Sequence, residues 1–182
     1  MDDILTSIIG IVISFILMFI FPLMTIADRG DDVSQLTVNV ATNEFVNDVR
    51  VLGYLTSDMY TKFIKDLGTT GNRYNVQLEI KIKDENPARK TVEADSSHLK
   101  PGENAYYSIY TSQILDQLGF GQDNSNSSGK IILKEGDIFS VNVNNVNMTI
   151  SQQLKNFFYR VIGKDTYVIA SSHSGQVIAT GR

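Results

Sequence analysis

Cysteine is absent from the chain, which removes disulfides, thiolate catalysis and cysteine-held zinc or iron–sulfur centres together. Histidine is scarce: His98 and His173 are the two present, both in expected turns far apart in sequence, where solvation is expected rather than catalysis. Lys and Arg are scattered. With a net charge of -4 and a pI near 5.1, no basic stripe exists to release counterions from phosphates, so nucleic acid is excluded as an expected partner. Serines lack a paired base and no G-x-S-x-G elbow occurs, leaving peptidase chemistry unsupported. Gly68 and Gly71 flank Thr69-Thr70 without the Gly-Lys-Ser/Thr ending of a phosphate loop, so they read as a helix-to-strand connection.

Charge is missing from one long stretch. Between Asp3 and Asp28 there is no ionisable side chain, and Ile4 to Ile26 is almost wholly Ile, Leu, Val, Phe and Met. At about 1.5 Å per residue this run reaches roughly 35 Å, slightly more than the ~30 Å hydrocarbon core of a bilayer. A secretory signal peptide would want a basic n-region, a shorter apolar core and a small-residue cleavage site. Here the n-region is Asp2-Asp3, and Thr25-Ile26-Ala27 is a poor cleavage match. A buried core helix would need a much larger soluble domain around it. Arg29 among Asp28, Asp31 and Asp32 gives little charge bias for orientation. An Asn-, Ser- and Tyr-rich, cysteine-free remainder suits the side outside the cytoplasm.

Beyond the span, Val33, Leu36, Val40, Ala41, Phe45, Val49 and Leu52 recur at three- and four-residue steps, a helical stalk stopped by Gly53, with a break expected near Gly30. Thr56 caps a second helix with an apolar face of Met59, Tyr60, Phe63, Ile64 and Leu67. Tyr74 to Lys83 alternates apolar and polar, a strand with one face in the core. The pattern then predicts a short edge strand at 91–94, a helix over 105–118, a hairpin of 130–134 with 138–143, a helix from Ser151, and a last hairpin of 167–171 with 176–180 turning at His173-Ser174-Gly175. This order predicts an α+β fold with an antiparallel sheet. Residues 1–28 form the anchor, 29–53 the stalk and 54–182 the head.

Thr6, Gly10 and Ser14 fall at i, i+4 and i+8, so they share one side of the span, where small residues let helices pack closely in lipid. Tyr106, Tyr107 and Tyr110 crowd one expected helix, and rigid amphipathic rings are favoured at protein contacts. The Asp123–Ser128 loop has calcium-like oxygen spacing but lacks the glycine, and Lys134 stands where a closing Glu belongs. No metal and no cofactor is expected.

A span running into a helical stalk and a small α+β head resembles pilins and pseudopilins. Within 45–83, the run GYLTSDMYTKFIKDLGTTGNRYNVQLEIKIK looks like small membrane-anchored, TadE-like proteins of Tad-type pilus or secretion systems in Gram-positive bacteria, and EGDIFSVNVNN and QQLKNFFYRVIG look similar to the same group. The resemblance implies a non-enzymatic, pilin-like subunit of a surface filament or secretion apparatus. Its implied partners are the lipid bilayer, other pilus or secretion subunits, and homo- or hetero-oligomers formed through the span. The chain departs from type IV prepilins, which carry a basic leader and a glutamate five residues into the mature helix: its leader is acidic, and the fifth residue after Gly10 is Phe15. That departure points to an uncleaved or accessory component. The alternative is a membrane-anchored extracytoplasmic binding module with the loop 121–129 as its tip.

Overall fold

The computed structural model describes residues 2–84, 106–121, 129–149, 153 and 169–181. Helix α1 runs unbroken over Asp2–Leu52, through Pro22 and past Gly30. The expected break at Gly30 does not occur. A lone helical glycine costs about 1 kcal/mol, and the packing of the turns above it outweighs that. Two hydroxyls bond back onto the preceding turn: Thr25 donates to the Phe21 carbonyl and Ser34 to that of Gly30.

The upper half of α1 packs into the head through Asp31, Val38, Thr42, Phe45, Val46 and Val49. Phe45 and Val49 belong to the expected stripe, and Ala41 packs against the same core. Val33, Leu36, Val40 and Leu52 are instead exposed. The helix carries apolar residues on two faces, and periodicity alone does not say which one meets the sheet.

Gly53, at φ 70°, turns the chain into strand β1 (Tyr54–Thr56). Helix α2 (Ser57–Gly68) follows, its Met59 N–H capped by the Thr56 hydroxyl as expected. It runs back along α1, stacking Phe63 on Phe45 with ring centroids 4.3 Å apart. Strand β2 (Tyr74–Lys83) matches its alternation, with Leu78 and Ile80 fully buried.

The segment 105–118, expected as one helix, divides into strand β3 (Tyr106–Tyr110) and helix α3 (Thr111–Leu118). Tyr and Ile are strong strand formers, and β2 offers a complete antiparallel partner from Lys83↔Tyr106 to Glu79↔Tyr110. Strand β4 (Lys130–Ile132) pairs with β1, not with the following strand β5 (Ile138–Asn145), so the expected hairpin is absent. The turn between them is held by the buried Asp137 carboxylate, which accepts from the Lys83 and Lys134 N–H groups at 2.9 and 2.8 Å. Strand β6 (Ala170–Gln176) passes straight through His173-Ser174-Gly175, in place of the expected turn, because β5 supplies a ladder along its whole length.

The main sheet has the order β3-β2-β5-β6, all antiparallel, and α1 lies across β6 and β5. Gln35 bonds Ala170, and the Arg50 guanidinium donates to the Gln176 carbonyl. Strand β6 therefore ascends with α1, placing Ala170, Asn145 and Tyr74 near the apolar half of the helix. The edge strand expected at 91–94, the loop 122–128 and the helix from Ser151, apart from Gln153, lie outside the described residues.

Candidate functional site

Two surfaces stand out, one on α1 and one on the sheet. Along the lower half of α1, residues 3–19 are all exposed, and the helix is long and apolar enough to cross a membrane by length and composition. Thr6, Gly10 and Ser14 lie on one side of it. A Cβ placed at Gly10 would meet nothing within 4 Å, so that side is open to close approach by another helix. Above the apolar run, Val33, Leu36 and Val40 continue an apolar face at 63, 63 and 48 % exposure. It turns away from the packed face formed by Val38, Thr42, Phe45 and Val49.

The second surface is the sheet face turned away from α1. Strict alternation puts Leu78, Ile80, Phe139, Val141 and Val143 inward. Gln77, Glu79, Ser140, Asn142, Ser172 and Ser174 therefore face outward. Together with Tyr110, Thr111 and Ser112 they line an open trough of about 890 Å³. Its groups are knitted together: the Ser140 and Ser174 hydroxyls are 2.7 Å apart, Asn142 donates to Gln77, and Ser108 donates to the Glu79 carboxylate at 2.8 Å. Lys81 lies 3.8 Å from the same carboxylate.

The three tyrosines expected to crowd one helix lie instead in strand β3, which sends them to both faces of the sheet. Register places Tyr106 and Tyr110 on the outer face beside Lys83 and Glu79, and Tyr107 beside Ile82 on the inner one. Tyr110 rims the trough, while Tyr107 is exposed at the far end of the sheet.

The chemistry of the trough is that of hydrogen bonding. It offers amides, hydroxyls, one carboxylate and one phenol, whereas His173 pairs with Val141 on the inner face. Among the described residues, no group of three or more His, Cys, Asp or Glu could hold a metal ion. Tyr60, packed against Phe120 on the opposite side of the head, has its phenol pushed up from its ordinary value by burial.

This surface is not visible in the sequence as a unit. Its signal is present in the polar positions of Tyr74–Lys83, Ile138–Asn145 and Ala170–Gln176, which alternate with period two. Recognising it requires knowing that these three segments are neighbours. The calcium-like loop and His98 lie outside the described residues. No protein-family model, curated protein or solved structure matches this chain.

Proposed function

We propose that this chain is a pilin-like, single-pass membrane protein whose head lies outside the cytoplasm and whose role is structural, as a subunit of a surface filament or secretion apparatus or of its assembly machinery. The observation that carries the reading is α1 itself: one unbroken helix of 51 residues supplies both the apolar span and a wall of the head's core. Such a helix transmits lateral contacts in the bilayer directly to the head. Thr6, Gly10 and Ser14 give the span a face of close approach, and the exposed Val33, Leu36 and Val40 extend an apolar contact surface above it. Other subunits of the same filament, or copies of this chain, are the partners such a helix suits.

Gly10→Ile and Leu36→Asp test the reading in native membranes. Extraction in mild detergent followed by native electrophoresis should show the unaltered chain in a larger assembly, and each variant shifted toward monomer with the head still folded. A chain that is monomeric throughout, or assemblies indifferent to both substitutions, would overturn it.

A second reading, an anchored binding module, is favoured by the polar trough. Its amides and hydroxyls suit an uncharged, hydroxyl-rich ligand such as a glycan. Ligand binding lost in Asn142→Ala, with the assembly intact, would favour that reading over the first.

A further inference from the structure

The head reaches down α1 almost to the apolar span. The Thr149 hydroxyl donates to the Asp31 carboxylate at 2.8 Å, with both residues buried. Asp31 is five residues above Ile26, a rise of about 7.5 Å along the helix. A bilayer's polar layers add roughly 5–7 Å to each side of its hydrocarbon core. Residues at the height of Thr149 thus lie at the outer margin of the headgroups.

The chain around Thr149 is unlike the rest of the polar surface. Val146 and Met148, just below the end of β5, are 69 and 58 % exposed. Between them Asn147 is turned inward, accepting from the Arg73 N–H and donating to Asn72. The Val146 N–H in turn donates to the Arg73 carbonyl at 2.8 Å. Those bonds fix Asn147 and leave its two apolar neighbours on the outside of the same edge. Arg73 is exposed there as well, a side chain able to place its stem among lipid and its charge among headgroups.

We propose that this membrane-proximal edge of the head, carrying Val146 and Met148, rests in the interfacial layer of the bilayer that α1 crosses. The inference depends on α1 being a span, and on the height set by the Asp31–Thr149 bond. What this edge meets is the lipid surface itself. On the turns of α1 at this height Asp28, Asp31 and Asp32 outnumber Arg29, so Arg73 leaves no excess of positive charge and the contact does not call for anionic lipid. The slight excess length of the span allows a tilt toward the sheet, which lowers this edge further. Contact at two points, helix and edge, would fix the azimuth of the head on the membrane and so determine which face of α1 meets a neighbour.

The chain contains no tryptophan, so single tryptophans introduced into the full-length protein report depth without background. Met148→Trp, Phe15→Trp and Ile178→Trp would each be reconstituted in phosphatidylcholine vesicles with and without brominated acyl chains. Phe15 lies in the middle of the apolar run, and Ile178 is exposed at the far end of the head, its N–H bonded to the Arg50 carbonyl. The expected result is strong quenching at position 15, none at 178, and a roughly twofold loss of emission at 148, as for a side chain that reaches from the headgroup layer toward the acyl chains. Quenching at 15 with none at 148 would overturn the docked edge and leave the span intact. No quenching at 15 would remove the span and the inference with it.

Discussion

Asp31 and Thr149, separated by 118 positions in the chain, form a buried hydrogen bond of 2.8 Å that ties the lower edge of the head to α1. This one contact sets how far above the apolar run the head begins. Asp31→Ala removes a charge-assisted bond in a buried place and should cost about 1.5–3 kcal/mol. Asp31→Asn keeps an acceptor and should cost less. Thermal unfolding of both variants in detergent would check the order.

Gly53 occupies a position only glycine fits. Its φ is +70°, and a Cβ there would run into the backbone of Ala179 and Gly181. The same residue's carbonyl accepts from the Leu133 N–H at 2.8 Å. Gly53→Ala should lower stability by about 2 kcal/mol or more, from left-handed strain and a backbone that must move. Gly71→Ala is the comparison, since Gly71 shares the positive φ but has open space around its Cβ. It should cost distinctly less in the same denaturation experiment.

The Asp137 carboxylate joins the end of β2 to the turn leading into β5 through the Lys83 and Lys134 N–H groups. Asp137→Ala leaves two backbone donors without this acceptor at a site that is 3 % exposed. A loss of about 2–4 kcal/mol is expected. Hydrogen exchange should show the Lys83 and Lys134 amides losing protection ahead of those at the centre of β5.

Burial raises the Tyr60 phenol above its ordinary value of 10.0. The folded state therefore holds this proton more tightly than the unfolded state does. The stabilising contribution is complete below pH 10 and is lost as pH rises through the raised folded value. Stability measured from pH 9 upward should fall with a component that Tyr60→Phe removes.

Much of the fold was legible where a single local signal was decisive. The cap at Thr56, the alternation from Tyr74 to Lys83, and the absence of charge between Asp3 and Asp28 each depend on near neighbours in the chain. Elsewhere a distant partner decides the outcome. Tyr106–Tyr110 carries strand-forming residues and helical spacing at once, and β2, more than twenty residues earlier, selects the strand. Lys130–Ile132 and Ile138–Asn145 look like a hairpin across Gly136, yet β1 and β2 each take one of them. The Ser-rich Ala170–Gln176 reads as a turn until the ladder from β5 spans it.

The candidate surfaces followed the same division. Thr6, Gly10 and Ser14 depend only on helical spacing and fall on one side of α1 as read. The trough depends on three strands whose adjacency is not written in any one of them. For the stalk, the upper half of α1 carries two apolar faces, and only the packed head distinguishes the buried Val38 and Val46 from the exposed Val33, Leu36 and Val40.

The lateral contact proposed for α1 through its outer apolar face is directly testable, because the chain has no cysteine. Single cysteines at each position from Val33 to Glu44 would be oxidised in native membranes, and crosslinked product would be quantified by gel. With that contact, maxima are expected at Val33, Leu36 and Val40, repeating with the helical period of about 3.6 residues, and minima at the packed Val38 and Thr42. A flat profile, or crosslinking no higher at these positions than at the exposed Lys62 on α2, would contradict it.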